Sequence, residues 1–463
     1  MSRMDFSGLW IVLAILASLS FVLQAAIVLL LYRIHSSLSS GKGPEPESVP
    51  MVEPESEPEP ELKPEPEQEQ EPEQAPVPMR DRILKGIQAC CGRALTDSDL
   101  PFVREKLSTF FAECVDGSFH RFLDLRPSPD ARIVVIGDIH SDPVSLAGIL
   151  LKLSVADYDY FGKATFVFLG DYFDRGFALL ETLLLLADLK SALGERMILL
   201  KGNHETIGWN EAAGCLTPHV IPHESCVFLG RRFSGDRDFL HSVADFCKGL
   251  PIYVYVKTAG RDALLVHAAI PRDIFFRDVR LDGNDGSLVF ADSLSPEDRL
   301  SVMDRVFKDM IWGDPSSYEE KFQMDGRFQF GRRQFERWAA ANGIGLLLRS
   351  HEEAATGVTP FYDGRLYTVF STGGSENDST GYPGVEPAFC ILGNDLLLFE
   401  NNFIYTIRDG SGPNFIHAIS RRGYSDRQVA KFHLDAGFAC DKSVCREVMD
   451  TFDILRMTVS NEQ

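Results

Sequence analysis

Three times in succession, a short run of buried-strand type ends abruptly in a polar cluster led by glycine. RIVVI (132–136) runs into GDIH, TFVFL (165–169) into GDYFDRG, and MILL (197–200) into GNHE. Between them lie VSLAGILLKL (144–153) and LLETLLLLADL (179–189), whose apolar spacing predicts helices. Strand, helix and strand in alternation predict parallel pairing, with chemistry at the carboxyl ends of the strands, where open α/β sheets bind ligands. Further strand patterns follow at IYVYV (252–256), ALLVH (263–267), IGLLLRSH (344–351), LYTVFS (366–371), FCILG (389–393) and NFIYTI (402–407). The predicted fold is therefore α/β, two mixed β-sheets packed as a central sandwich flanked by helices. A helical lead-in is expected over roughly 80–124, with Thr96 to Asp99 as N-cap residues before LPFVREKLSTFFAEC.

The polar clusters carry a consistent chemistry. Asp138 and His140 close one strand, Asp171 the next, Asn203 and His204 the third, while His267 and His351 each end a further strand. Residues i and i+2 of an extended chain point the same way, so such groups can converge on one sheet edge. Carboxylate, amide oxygen and imidazole together suit a pair of divalent transition metals, with an Asp shared between them. An isolated Gly-Asp usually makes a turn. GDxxDRG, however, has five fixed letters and is expected by chance on the order of 10⁻⁴ times in a chain of this length.

GDIH (137–140), GDYFDRG (170–176) and GNHE (202–205) resemble the signature blocks of the PPP-family Ser/Thr phosphoprotein phosphatases, within the calcineurin-like metallophosphoesterases. LLVHAAIPRD, MIWGDPS (310–316), FQFGRRQFERWAAANGIGLLLRSHE (328–352) and YTVFSTGGSEND (367–378) are similar to the later blocks, in register. The resemblance spans about 95–410. It implies two divalent ions, manganese or an iron and zinc pair. Asp138, His140 and Asp171 would hold the first ion. Asp171, Asn203, His267 and His351 would hold the second. It further implies that Arg175 and Asn203 face the phosphoryl oxygens and that His204 is the general acid, oriented by Asp174. The substrate class implied is a phosphoprotein, and a regulatory or targeting subunit is a usual partner.

The sequence departs from that pattern in four places. Ser141 stands where the first block has glycine, and Ala268-Ala269 stand for a Gly pair; ordinary dihedrals would make either exchange mild. The position of a second phosphate-binding arginine is Met324, which leaves Arg327, three residues later, as the substitute phosphate ligand. The aromatic end of the last block is missing. Two other readings stay open at this stage. One is a diadenosine-tetraphosphatase-like hydrolase of nucleotide polyphosphates or caps. The other is an inactive scaffold that recognises phosphopeptides.

The ends of the 463-residue chain read differently. Residues 8–32 contain no charge, and about 37 Å of helix would span a bilayer. The expectation is a 1–43 anchor, making a single-pass membrane protein with its catalytic domain in the cytosol. Residues 44–78 hold eleven Pro and twelve Glu, which predicts a disordered stalk. The catalytic domain is expected at 79–410 and a C-terminal extension at 411–463. The net charge is −21, with −12 remaining on 79–463, and such an acidic body argues against a nucleic-acid partner. Nine cysteines without a CxxC pair argue against a disulfide scaffold or zinc ribbon.

Overall fold

The computed structural model describes residues 78–401, apart from 92–94, 116–121, 322–326 and single positions at 222, 259, 376, 378 and 395. Two sheets form the centre. In the first, β2 (Ile133–Ile136), β3 (Thr165–Phe168) and β4 (Met197–Leu199) run parallel. On the other side of β2, β16 (Ala388–Leu392) and β17 (Leu397–Asn401) continue the sheet antiparallel, giving the order β17-β16-β2-β3-β4. The second sheet has the order β1-β7-β8-β13-β15-β14. Its strands are β1 (Phe122–Leu125), β7 (Tyr253–Val256), β8 (Asp262–Val266), β13 (Ile344–Arg349), β14 (Val358–Phe361) and β15 (Leu366–Val369). Here β8, β13 and β15 are parallel, β7 is antiparallel to β8 and parallel to β1, and β14 is antiparallel to β15. Both sheets are mixed, as expected.

Alternation along the strands builds the layers. Val135, Val167 and Leu169 of the first sheet meet Val254, Leu265, Leu346 and Leu348 of the second in one buried cluster. The alternate residues Val134, Ile136, Phe166 and Phe168 face outward, under helices α1 (Met79–Cys91), α2 (Leu100–Cys114), α3 (Pro143–Val155) and α5 (Leu179–Leu193). Strands β2 and β3 are therefore buried on both faces, which is why each reads as a continuous apolar run. Helices α8 (Pro296–Trp312) and α9 (Arg332–Ala341) cover the outer face of the second sheet through Met310, Phe335 and Trp338. The remaining helices are the short α4 (Tyr160–Lys163), α6 (Glu224–Arg232) and α7 (Arg237–Gly249).

Three expectations need correction or restriction. The helical lead-in does not reach 124, because FLDL (122–125) is a strand paired in parallel with β7. Four half-buried residues with no alternation give little sign of a strand. Of the four N-cap candidates, Asp99 stands at the N-cap of α2 but makes no side-chain cap there, because its carboxylate accepts from the Thr96 N–H (2.7 Å) at the start of a 3₁₀ turn, Asp97–Asp99. The single-pass membrane protein is overturned: among the described residues no helix is long and apolar enough to cross a membrane. The segment 8–32 that prompted it lies outside those residues, as do 44–77, NFIYTI and 411–463.

Candidate metal centre and active site

Every site residue read from the sequence within the described part, Arg327 aside, lies on a loop that leaves a central strand. Asp138 leaves β2 with its N–H on Ser350 Oγ (2.8 Å), and Gly137 donates to Ser371 Oγ (2.7 Å). These two serines stand at the ends of β13 and β15, so they pin the first loop to the opposite sheet. A Cβ on Gly137 would collide with the Val369 carbonyl oxygen, so only glycine admits this approach. The next two loops are clasped by one carboxylate. Glu205 accepts from the N–H groups of Asp171, Tyr172 and Gly202, each at 2.8 Å.

The donor atoms converge. His140 Nε2 lies 3.6 Å from both Asp138 Oδ2 and Asp171 Oδ2. His267 Nε2 lies 3.4 Å from Asp171 Oδ2, 3.0 Å from Asn203 Oδ1 and 3.1 Å from His351 Nδ1. Asp171 belongs to two groups whose donor atoms lie within 4.8 Å of one another, one with His140 and His204, the other with His267 and His351. Asp138, Asp171, Asn203, His140 and His267 are all at least 97% buried.

The chemistry of this donor set fits divalent cations. His140 Nδ1 faces the Phe173 carbonyl at 2.8 Å and His267 Nδ1 the Leu169 carbonyl at 2.9 Å. Neutral imidazoles that donate there turn their Nε2 lone pairs inward, onto carboxylate and amide oxygens. Acceptors thus face acceptors, and Asp138 Oδ2 and His351 Nε2 are buried without a hydrogen-bond partner. Burial and the neighbouring Asp171 push the Asp138 carboxyl up to about 6. Burial, with Asp171 again, pushes Glu205 up to about 7. Burial, helped by His204 and Arg175 and opposed by Asp171, takes His140 down to about 4. Burial pulls His267 down, but Asp171, by charge and hydrogen bond, and Asp138 prevail and raise it. Crowded carboxylates thus make the pocket draw positive charge.

Beside it sits a different pair. His204 Nδ1 bonds Asp174 Oδ2 at 2.7 Å. Asp174 is fixed in turn by Ser225, whose N–H donates to Oδ1 (2.8 Å) and whose Oγ accepts from the Asp174 N–H (2.7 Å). Burial works against the His204 cation, but Asp171 and the bond to Asp174 prevail and raise it to about 9.

Arg175 follows Asp174, and both adopt left-handed backbone at φ 66° and 64°. His140, Ser141, Asp171 and His351 do the same, so six of the eight left-handed non-glycine residues among the described ones gather at this site; the other two are Tyr362 and Asp363. Ser141 therefore does not have ordinary dihedrals, and glycine would sit there without strain. Ala268 and Ala269 lie outside the left-handed region, so that exchange is mild; the Ala269 methyl packs where Gly313 leaves room.

Arg327 stands apart from the buried cluster. Its Nε binds Asp314, which also accepts from the buried Arg349 and lies 3.9 Å from His351 Nε2. Ser350, Ser371 and Ser225 were not anticipated from the sequence; their position at or beside the functional blocks was the available signal. Tyr382 was missed altogether. Its ring lies 5.5 Å from that of His140, so an aromatic residue does overlook the site, from a later point in the loop than the family pattern suggests.

Residues 131–353 match the model of the calcineurin-like phosphoesterases. The catalytic subunit of serine/threonine-protein phosphatase 4 from Saccharomyces cerevisiae is 26% identical over 247 residues, covering 52% of this chain and 69% of that protein. The phosphatase 6 catalytic subunit of Drosophila melanogaster is 24% identical, with the same coverage of each chain. This chain is a metal-dependent phosphatase. A solved protein serine/threonine phosphatase from Saccharomyces cerevisiae, with similarity to human phosphatase PP5, aligns with the phosphatase at a TM-score of 0.49 and 20% identity, covering 69% of this chain and 93% of that one.

Proposed function

We propose that the phosphatase removes phosphate from phosphoserine and phosphothreonine in proteins, as a PPP-type enzyme whose catalytic domain spans 79–410. The observation that carries this reading is the sharing of Asp171 between two donor groups, one of which includes His204, itself paired with Asp174. Asp138, His140 and Asp171 would hold one divalent cation, and Asp171, Asn203, His267 and His351 a second. When bound, such a pair supplies a water acidified enough to attack phosphorus at neutral pH.

The chain's own groups do the rest. Arg175 and Asn203 bind the phosphoryl oxygens, the guanidinium by its planar fork. Arg327, half exposed and tethered to Asp314, is placed in the proposal as a further phosphate ligand at the rim. The alkoxide of serine or threonine is a poor leaving group until it is protonated. With Nδ1 held by Asp174, His204 can give that proton only from Nε2. The names of the relatives, catalytic subunits both, support a partner subunit.

Turnover by the manganese-loaded chain of a phosphoserine peptide and of diadenosine tetraphosphate distinguishes the substrate classes. The expected result is faster hydrolysis of the peptide. Faster hydrolysis of the nucleotide would reject this reading.

A further inference from the structure

A cavity of about 400 Å³ opens beside the catalytic loops, with Ser141, Phe177, Glu181, Glu224, Phe228 and Arg232 in its wall. Three of its residues adjoin the site along the chain. Ser141 follows His140, Phe177 lies two residues after Arg175, and Glu224 precedes the Ser225 that fixes Asp174. The Phe177 N–H donates to the Ser379 carbonyl (2.9 Å), which ties this rim to the loop bearing Tyr382.

The wall has an unusual composition for a surface recess. Phe177 is 77% exposed and Phe228 42% exposed, so two aromatic faces are left to solvent. Ser141 is 1% exposed and its hydroxyl has no hydrogen-bond partner. Arg232 is ion-paired to Asp97. Among the described residues no cation lies within ion-pair distance of the Glu181 or Glu224 carboxylates. Arg232 stands in the same wall and acts on Glu181 through space, so two carboxylates there face one guanidinium that is already paired to Asp97. The cavity therefore combines aromatic walls, an unpartnered buried hydroxyl and a net negative charge.

Those features match one kind of occupant. An arginine or lysine has an aliphatic stem for the aromatic walls, a cation for the ring faces and carboxylates, and N–H donors for a hydroxyl oxygen. We propose that this cavity receives an arginine or lysine side chain flanking the phosphorylated residue of the substrate. The proposal rests on the phosphoprotein reading above and adds a sequence preference to it. Glu224 and Glu181 then act as specificity-determining residues.

The test uses the full-length, manganese-loaded chain and a phosphoserine peptide carrying Arg, Ala or Glu at each flanking position in turn. At one position the Arg peptide should have a KM about tenfold below that of the Ala peptide, with similar kcat. Glu224→Lys, an exposed change, should reverse the order so that the Glu peptide has the lower KM. Glu181→Gln should shrink the Arg advantage without reversing it. Equal KM values for all three peptides at every position would overturn the proposal while leaving the phosphoprotein reading intact. An undiminished Arg preference in both variants would overturn it too. Hydrolysis of diadenosine tetraphosphate with no turnover of any peptide would remove both readings together.

Discussion

His204 owes its chemistry to its neighbours. Asp171 and Asp174 raise it to about 9 against the pull of burial, which suits the general-acid role proposed for it at neutral pH. Its folded value is raised, so the acid is present below that value and is lost as pH rises through it. The alkaline limb of kcat for a phosphoserine peptide should therefore appear as pH rises toward 9, and Asp174→Asn should move it to lower pH. A rate–pH profile of both proteins checks this, and His204→Asn should cost about 10²–10⁴ in kcat on the same substrate. Ser141 gives a second prediction at this scale. A left-handed non-glycine residue costs about 1–2 kcal/mol, partly offset in glycine by extra chain entropy. Ser141→Gly also removes a buried, unpartnered hydroxyl. It should raise stability by about 1 kcal/mol, read as a higher urea midpoint.

Asp142 controls an entire element. Its carboxylate accepts from Val144 and Ser145 N–H groups at the start of α3, and from Thr372 Oγ1 (2.7 Å) and Asn377 Nδ2 (2.9 Å) across the loop after β15. One side chain therefore caps a helix and fastens the segment that leads to Tyr382. Asp142→Ala should cost about 2–3 kcal/mol, a cap plus stranded buried donors, measurable by urea unfolding. The elements best legible in the sequence were those buried on both faces, because an uninterrupted apolar run such as TFVFL leaves little choice. Their carboxyl ends also exposed the site, since the Gly-led clusters Asp138–His140, Asp171–Arg175 and Asn203–His204 break those runs. Edge strands were harder. Phe122–Leu125 is four residues of half-buried chain, and Val358–Phe361 contains Pro360, which belongs on an edge and erases the strand signal. Tyr382 was invisible because its approach to His140 depends on the path of a loop, which no local periodicity encodes.

At the scale of the whole molecule, two mixed sheets act as a rigid frame that brings strand ends from both layers to one edge. Asp138, Asp171 and Asn203 come from the first sheet, and His267 and His351 from the second, so the centre exists only when both layers are packed. The acidic balance of residues 79–463 agrees with a basic peptide partner and disfavours a nucleic acid. As proposed, Asp171, the carboxylate common to both donor groups, makes the phosphatase a two-cation enzyme. Metal content per chain, measured with phosphoserine-peptide turnover for the native protein and Asp171→Asn, tests this most directly. The native chain should carry two divalent ions, and the variant should lose metal together with turnover, by about 10³-fold or more. Full turnover in a metal-depleted Asp171→Asn protein would contradict the account.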